Sequence, residues 1–308
     1  MTGQSTTRTT TTQPPVSMVM ATNRVSPYLG EAIESVLGQS YGDLEVIVVD
    51  DGCPEPEVLT SVLGRYPVRV FRQEPLGVSA AFNRGVFHAG GELIGFFGDD
   101  DRYPSGWVSA HVARHVRDPA LVLTYAHARS IDAAGSVFED RHLRQADRTD
   151  VYAREVTIFG GGFVARREAL ICAGGFNPLV RYAEDLDLVL RLSYLGPFAY
   201  VPDTYFDYRT HTTNSTRRYR ELATSIRAIN RSHRTFLATG GDVDLDRAIR
   251  SSERRNDRYA GWRSVRSARA HVRAGQPLRA AADLAWGLHF APLGPLSAPV
   301  RRLGRRAR

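Results

Sequence analysis

Short apolar runs alternate with amphipathic segments between residues 16 and 97 of the chain. Each apolar run is four to six residues long, which is typical of a buried strand. These runs are Val16–Ala21, Leu44–Val49, Val68–Phe71 and Glu92–Phe97. The segments between them repeat apolar residues at helical spacing, and they are Pro27–Gln39, Glu55–Arg65 and Val78–Ala89. Strands separated by helices of this length indicate βαβ units, and therefore an α/β fold with a mostly parallel sheet flanked by helices.

The pattern is mixed between residues 102 and 216 and then almost entirely helical. The predicted strands here are Leu121–Ala126, Gly160–Ala165 and Tyr205–Arg209, and the predicted helices are Arg167–Ala173 and Asp185–Leu195. Residues 132–150 are polar, and we expect them to form an excursion or a mobile loop. Residues 217–275 predict an Arg-rich helical region.

Composition divides the chain into three regions. Residues 1–15 are Thr-rich, and we expect them to form a disordered leader. Residues 16–216 contain all the predicted strands and form one α/β domain, and residues 217–308 form a helical C-terminal extension. This extension includes an apolar patch, Leu284–Leu296, and has five arginines among its last eight residues.

Charge divides the chain at the same place. Residues 217–308 contain 21 arginines against seven acidic residues, whereas residues 1–216 contain 19 against 26. A basic region beside an acidic body indicates a second task that involves an anion. The adjoining apolar patch favours an anionic membrane surface, and a solvated or oligomeric helix face is the alternative. We expect no nucleic acid, because few aromatic residues and no zinc-ligand spacing accompany the arginines.

The expected location is the cytoplasm, with peripheral attachment to the inner face of the cell membrane through the basic region. Two cysteines cannot form a disulfide framework, which favours a reducing compartment. No run of about 20 uninterrupted apolar residues exists, so we expect no membrane span. The N-terminus also lacks the apolar core of a signal peptide. A homo-oligomer is compatible with the sequence.

Polar side chains follow three of the predicted strands. Thr22, Asn23 and Arg24 follow the first strand, Asp50 and Asp51 the second, and Asp99–Asp101 the fourth. Ligands of open α/β sheets bind at the carboxyl ends of strands, so we expect one site here. Three adjacent carboxylates repel one another unless a cation neutralises them, which indicates Mn²⁺ or Mg²⁺. The structural alternatives are a solvated acidic turn and, for the second strand, a helix cap.

Two further positions have both a functional and a structural interpretation. Glu184 and Asp185 begin a predicted helix, where they complement the helix dipole or supply a general base for an acceptor hydroxyl. His211 follows the last predicted strand, and it is either exposed or a metal ligand on a loop folded over the carboxylates. No strand is followed by GxGxxG and the chain has no GxxxxGK[ST], which disfavours dinucleotide and P-loop chemistry.

As an ordered set, several segments resemble the motifs of family 2 glycosyltransferases of the GT-A fold. They are Val16–Arg24, Tyr28–Tyr41, Glu45–Gly52, Gly77–Gly85, Gly91–Asp101, Gly174–Phe176, Glu184–Leu188 and Arg191–Leu192. The resemblance covers residues 16–216, and it is the order of the motifs, rather than any one of them, that is specific. It implies a Rossmann-like GT-A domain with a nucleotide-binding half at residues 16–101 and an acceptor half at residues 102–216.

The resemblance also implies an activity, the inverting, metal-dependent transfer of a hexose. The implied donor is a nucleoside-diphosphate sugar, with UDP as the first expectation. The implied acceptor is a glycan, a lipid-linked glycan or a small molecule, in cell-envelope or polysaccharide synthesis. The Asp cluster matches the DxD motif, which binds the diphosphate through Mn²⁺ or Mg²⁺.

The resemblance assigns donor-binding roles to the first half of the chain. Thr22 and Asp51 match positions that hold the nucleoside, with Asn23 and Asp50 nearby. Asn83 lies in a segment that usually lines the nucleotide pocket.

Metal-binding and catalytic roles are implied for a second set of residues. Asp100 and Asp101 match metal ligands, with Asp99 next to the donor, and His211 resembles a late histidine that completes the metal site. Asp185 matches the catalytic base, which Glu184 supports.

The chain departs from the family pattern at two places. Gly98 stands where the first Asp of DxD is expected, and the spacing to Pro104 is one residue short. Counting back from Pro104 makes Asp99 the metal ligand, whereas counting forward along the strand makes it Asp100. We prefer Asp100, because a strand sets the register better than a loop does. Phe82 stands where the family often has Arg, which puts a phosphate contact there in doubt.

Two alternatives to a glycosyltransferase remain. A nucleotidyltransferase that makes a nucleotide sugar usually has a basic, Gly-rich loop after its first strand, which Thr22–Arg24 does not supply. A non-catalytic partner protein could keep the GT-A fold, but the retained Asp100, Asp185 and His211 argue against it.

Overall fold

The computed structural model describes residues 13–140, 142–211 and 218–292. Most of the expected leader, the end of the apolar patch and the terminal arginines lie outside the described residues. The chain forms two compact units. The first contains the chain up to Gln145 together with Ile158–Leu179 and Leu188–Thr210. The second contains Ala146–Thr157, Val180–Asp187 and the chain from His211 onwards.

Within the described residues, one eight-stranded sheet organises the first unit. Its strands are β1 (Val16–Thr22), β2 (Leu44–Asp51), β3 (Arg69–Gln73), β4 (Leu93–Phe97), β5 (Leu123–Ile131), β6 (Val137–Asp140), β7 (Phe163–Arg166) and β8 (Phe198–Arg209). The order is β3-β2-β1-β4-β7-β5-β6, and β8 pairs with β5. Strands β1 to β4 are parallel, as is the β5–β8 pair, whereas β6 and β7 pair antiparallel with their neighbours. The predicted mostly parallel sheet is therefore confirmed.

The strand order places the carboxyl ends of β1 and β4 side by side. β1 has β2 on one side and β4 on the other, so successive βαβ units wind in opposite directions from β1. In open α/β sheets such a switch point leaves a crevice at the carboxyl ends of the strands, where ligands bind. The residues that follow β1 and β4 therefore occupy the part of the sheet most suited to a ligand.

Helices cover the sheet of the first unit, and they form where apolar residues recur at helical spacing. The described helices of the chain are α1 (Leu29–Leu37), α2 (Pro56–Leu63), α3 (Val78–His88), α4 (Trp107–Arg117), α5 (Arg148–Ala153), α6 (Arg167–Cys172), α7 (Glu184–Leu192), α8 (Tyr219–Gly240), α9 (Val243–Arg273) and α10 (Pro277–Phe290). Helix α1 buries one face, made of Leu29, Ala32, Ile33 and Val36, in the core below β1 and β2. That spacing is the one from which the helix was predicted.

The structure differs from the sequence interpretation between residues 132 and 209. The expected excursion contains strand β6 and the start of α5, and the glycine-led strand begins with a 3-10 turn at Gly160–Gly162. Strand β8 has 12 residues, whereas the sequence predicted only its last five. Pro202 interrupts the apolar pattern inside β8, at an irregularity in the pairing with β5, which is where a sheet accommodates proline.

Three long helices dominate the second unit, as the predicted helical extension requires. Helix α9 begins at an Asp242 cap that accepts a hydrogen bond from the backbone N–H of Leu245 at 3.0 Å. Small side chains on α9, including Ala260, Ser264 and Ala268, are buried where α8 and α10 pack against it. Among the described helices, none is both long and apolar enough to cross a bilayer.

The close contact of α3 with β1 yields a stability prediction. A Cβ atom on Gly85 would lie 2.2 Å from Cγ1 of Val19, which is fully buried in β1. We expect Gly85→Ala to lower the free energy of unfolding by about 1–3 kcal/mol relative to Gly240→Ala. Gly240 is the matched control because it ends α8 with open space around its Cα, so both variants gain helix propensity. Urea unfolding measures the difference, and equal stabilities would contradict the contact.

Candidate active site

The ends of β1 and β4 are joined by a buried hydrogen bond. Thr22 is the last residue of β1, and its hydroxyl donates to Oδ2 of Asp99 at 2.8 Å. Both residues are more than nine-tenths buried. The polar groups expected to meet at the crevice do so here because β1 and β4 are adjacent and parallel.

Arg24 donates hydrogen bonds to two carboxylates of this cluster. Its Nη2 donates to Asp99 Oδ1 at 2.8 Å and to Asp100 Oδ2 at 3.1 Å, and its Nε donates to Asp99 Oδ2 at 3.0 Å. The hydrogen bond to Asp99 is the largest cause of a raised pKa for Arg24, so the guanidinium stays charged. A two-point guanidinium–carboxylate contact is strong and geometrically specific. The loop after β1 therefore supplies a positive charge to the loop after β4.

Asp101 has a different environment from its two neighbours. It is buried, and its Oδ1 accepts a hydrogen bond from the backbone N–H of Arg209 at 3.1 Å. Burial, and then the charge of Asp100, raise the pKa of Asp101 well above its usual range. Asp101 therefore faces the end of β8, whereas Asp99 and Asp100 face Arg24.

Gly98 leaves space that the carboxylates occupy. A Cβ atom at this position would lie 2.9 Å from Oδ1 of Asp100 and 3.0 Å from Oδ2 of Asp101. A side chain where the family pattern places the first Asp would therefore require these carboxylates to shift.

The carboxylates after β2 bind nearby backbone groups. Asp50 Oδ1 accepts the backbone N–H of Cys53 at 2.7 Å, which is a turn-stabilising contact. Asp51 accepts hydrogen bonds from the backbone N–H groups of Leu76 at 2.8 Å and Gly77 at 2.9 Å. Asp51 thereby positions the loop that leads into α3.

Asn83 and Phe82 on α3 pack against the Gly-Gly-Phe segment that follows α6. The Asn83 amide makes two hydrogen bonds to the backbone of Phe176, donating at 2.8 Å and accepting at 2.7 Å. The Phe82 ring lies 5.0 Å from Phe96 and 5.1 Å from Phe176. Phe82 therefore packs among aromatic rings while it remains partly exposed.

In the second unit, Glu184 and Asp185 form the first turn of α7. The preceding residue, Ala183, has φ of 58°, a left-handed conformation that alanine rarely adopts. Burial, and then the charge of Asp185, raise the pKa of Glu184 to about 8. At pH 7 Glu184 is therefore mainly neutral.

Arg154 is the cation associated with this acidic pair. It has φ of 55° and caps α5 in the left-handed region. Burial lowers the pKa of Arg154, and so does Arg255, whereas the charge of Asp185 raises it. Its Nη1 is buried without a hydrogen-bond partner among the described residues. Arg154 thus holds positive charge close to Asp185.

A row of three buried polar side chains supports the same turn of α7. His233 Nε2 lies 3.3 Å from Asp187 Oδ1, and His233 Nδ1 lies 3.3 Å from the hydroxyl of Tyr152. All three residues are buried. Asp187 follows Asp185 by two residues, so these three side chains connect the first turn of α7 to α5 and α8.

Two further predicted site residues lie in loops. Asn23 is exposed in the loop after β1. His211 follows the end of β8 by two residues and belongs to the second unit, and residues 212–217 lie outside the described residues.

The donor set after β4 fits a hard divalent cation. Mg²⁺ and Mn²⁺ prefer carboxylate oxygens, and Asp99 and Asp100 present such oxygens in the crevice between β1 and β4. The guanidinium of Arg24 already places one positive charge beside these oxygens. Sequence reasoning placed Arg24 after the first strand without a partner, and it did not identify Arg209 or Arg154, because an arginine in a loop or strand carries no signal of the carboxylate it will contact.

Comparison with known proteins gives one family. A model described as glycosyl transferase family 2 matches residues 17–174, which is half of the chain. The chondroitin synthase of Escherichia coli is 28% identical over 211 residues, which cover 66% of this chain and 30% of that protein. The chain therefore spans less than a third of the length of that curated relative.

Solved structures are similar in fold. The mannosyltransferase PcManGT from Pyrobaculum calidifontis, in complex with GDP-Man and Mn²⁺, has a TM-score of 0.58 at 19% identity, covering 92% of this chain and 82% of that one. Residues 1–349 of S. aureus TarS, in complex with UDP, have a TM-score of 0.54 at 15% identity, covering 88% and 90% of the two chains. At identities this low, the TM-scores show a shared fold and no more than that.

The raised pKa of Glu184 gives a pH prediction. The folded chain keeps a proton up to a pKa of about 8, whereas the unfolded carboxyl loses it near 4.5. Between these pH values the unfolded state binds fewer protons, so the free energy of unfolding decreases as the pH rises. We expect Glu184→Gln to remove this decrease and to be more stable than wild type by about 1 kcal/mol or more at pH 8.5, but not at pH 4.5.

Urea unfolding across this pH range tests the prediction. Glu221→Gln is the matched control, because Glu221 is exposed in the same unit. Identical pH slopes for Glu184→Gln and Glu221→Gln would contradict the assigned environment of Glu184.

Proposed function

The chain belongs to glycosyl transferase family 2, and we propose that it transfers a sugar from a nucleoside-diphosphate sugar to an acceptor hydroxyl. The observation that carries the proposal is the carboxylate cluster in the crevice between β1 and β4, where Arg24 contacts both Asp99 and Asp100. A diphosphate is anionic, so binding it beside carboxylates requires a cation. The crevice contains the oxygens for a divalent cation and a guanidinium suited to phosphate.

Asp99, Asp100 and Asp101 form the proposed diphosphate end of the donor site. Asp100 and Asp101 would hold Mn²⁺ or Mg²⁺, with Asp99 beside the donor, as the family resemblance implies. The backbone N–H of Arg209 would orient Asp101. When bound there, the cation supplies Lewis-acid assistance to the leaving diphosphate. The resemblance also implies His211 as a metal ligand, and this stays a prediction.

The nucleoside end of the donor site is proposed for the loops after β1 and β2. Asn23 is exposed there, and Thr22 and Asp51 are positioned by the hydrogen bonds of their own loops. Asp50 stabilises the turn after β2. Asn83, which binds Phe176 through both ends of its amide, would shape the pocket wall rather than contact the base.

Asp185 is the proposed catalytic base. The neutral Glu184 and the buried Arg154 both favour its ionised form, which can accept a proton. Asp185 would take the proton of the acceptor hydroxyl while that oxygen attacks the anomeric carbon opposite the leaving nucleoside diphosphate. One C–O bond forms as the other breaks, so a single displacement inverts the anomeric configuration. General-base catalysis of this kind contributes about 10²–10⁴-fold.

Polysaccharide or cell-envelope glycan synthesis is the proposed setting. Support comes from the relative named as a chondroitin synthase, and UDP is the proposed nucleotide because S. aureus TarS is described in complex with it. GDP is the alternative, since PcManGT is described with GDP-Man.

A peripheral site at the inner face of the cell membrane is the proposed location. Helix α10 exposes Leu278, Leu284 and Leu288, and Trp262 of the Arg-rich α9 is half exposed. Apolar side chains among arginines favour an anionic lipid surface. A homo-oligomer that covers the same residues is the alternative.

Donor binding is the first test. We expect one of UDP, GDP and dTDP to raise the unfolding temperature in the presence of Mn²⁺ but not of EDTA. At a ligand concentration of 100 Kd the stabilisation is about 2.7 kcal/mol. Asp100→Asn should weaken the shift, whereas the exposed Asp203→Asn should not. A shift that is the same in EDTA would contradict the metal-dependent donor site.

Loss of the base is the second test. We expect Asp185→Asn to keep the nucleotide-dependent thermal shift but to lower transfer by about 10²–10⁴-fold. Asp244→Asn, at an exposed position in the same unit, is the control and should retain transfer. Release of free nucleoside diphosphate identifies glycosyl transfer, and release of pyrophosphate would identify a nucleotidyltransferase instead. Transfer by Asp185→Asn at the wild-type rate would overturn the assignment.

A further inference from the structure

Three potential metal ligands meet on the β5–β6 hairpin, in a network that does not include Asp99, Asp100 or Asp101. His127 lies on β5, Asp140 ends β6, and His142 follows two residues later. One ligand atom from each side chain can be chosen so that all three lie within 4.8 Å of one another. Nothing in the proposed glycosyl transfer uses these residues.

His127 is the buried member of the group. Its side chain is 3% exposed, and its Nε2 has no aligned hydrogen bond among the described residues. This nitrogen lies 3.2 Å from Oδ1 of Asp140, and the His127 ring lies 4.4 Å from the His142 ring between centroids. The buried nitrogen therefore faces two side chains that can bind metals.

The other ring nitrogen of His127 has a partner. Nδ1 lies 3.2 Å from the hydroxyl of Tyr200 on β8. When Nδ1–H donates to this hydroxyl, the lone pair of Nε2 is directed at Asp140 and His142. Metal-binding histidines are usually oriented through their second nitrogen in this way.

We propose that His127, Asp140 and His142 bind a zinc ion that fixes the β5–β6 hairpin. Two imidazoles and one carboxylate are a donor set typical of zinc, and nitrogen ligands disfavour Mg²⁺. Zinc bonds of about 2.0–2.1 Å give tetrahedral ligand separations of about 3.3 Å. The distance of 3.2 Å between His127 Nε2 and Asp140 Oδ1 is already close to this separation. Asp140 and His142 are exposed, so His142 can approach without disturbing the core.

The charge around the cluster is compatible with a cation. Arg129, two residues from His127, is the nearest cation along β5, and it is paired with Asp207 at 2.7 and 3.1 Å. Asp207 also accepts a hydrogen bond from Arg102 Nε at 2.8 Å, so it balances part of the positive charge of Arg129 before a metal binds. Asp140 would balance part of the charge of the zinc ion.

The hairpin is a suitable element for such a site because its turn reaches the loop after β4. Arg209 donates to the carbonyl of Ala133 at 3.2 Å in that turn and to the carbonyl of Asp100 at 2.9 Å. Arg102 Nη2 lies 3.4 Å from the carbonyl of Gly135. A zinc ion at the base of the hairpin would therefore stabilise a turn that supports the aspartate cluster.

The test measures zinc bound to the full chain by equilibrium dialysis, with excess Mg²⁺ present to compete at Asp99–Asp101. We expect wild type to bind about one more zinc ion than His142→Ala. His289→Ala, at an exposed histidine of α10, is the matched control and should bind as wild type does. Tyr200→Phe should weaken zinc binding by about 10–100-fold, because it removes the group that orients His127.

Two further measurements separate this site from a chance association. Hydrogen exchange should slow at the β6 amides when zinc is added to wild type but not to His142→Ala. Co²⁺ should give the strong visible absorption of a four-coordinate nitrogen site in wild type only. Equal zinc binding by wild type and His142→Ala would overturn the proposal, as would zinc binding that depends on Asp100 and not on His142. Neither result would alter the nucleotide-dependent shift that tests glycosyl transfer.

Discussion

Neutralisation of buried carboxylates at the carboxyl ends of β1 and β4 is the constraint on which the first unit depends. Asp99 and Asp101 are more than nine-tenths buried, and an unpaired buried charge costs several kcal/mol. Thr22 and Arg24 satisfy Asp99 from the β1 side, and the backbone of Arg209 satisfies Asp101 from the end of β8. The packing of β1 against β4 and the position of β8 are thus coupled to the charge of the crevice. The same charge makes the crevice suitable for a cation and a diphosphate.

The surroundings of Gly98 and Phe82 show what the residues of the family pattern would meet at these positions. A side chain at Gly98 would require the carboxylates of Asp100 and Asp101 to shift. The partly exposed ring of Phe82 packs beside Phe96 and Phe176.

The acidic pair at the start of α7 in the second unit has its own environment. Burial, and then the charge of Asp185, raise the pKa of Glu184, so that Glu184 is mainly neutral at pH 7. Arg154 lies close enough to Asp185 for the two charges to interact.

The sequence by itself determined the fold class and the family. Strands β1 to β4 and helices α1 to α3 lie within two residues of their predicted bounds, because a buried strand or an amphipathic helix must show its apolar pattern locally. Strand β6 and the first half of β8 were not predicted from the sequence. One is an exposed hairpin strand, and the other is interrupted by Pro202, so neither has a clear period.

Only the tertiary structure decided which groups far apart in the sequence contact one another. Arg24 reaches Asp99 across 75 residues, Arg209 reaches Asp101 across 108, and His127 meets Tyr200 across 73. Such contacts arise from strand order and from the turns that carry the chain between elements. A local pattern identifies a strand and the polar group at its end. It does not contain the identity of the neighbour, because that neighbour is set by how distant segments pack.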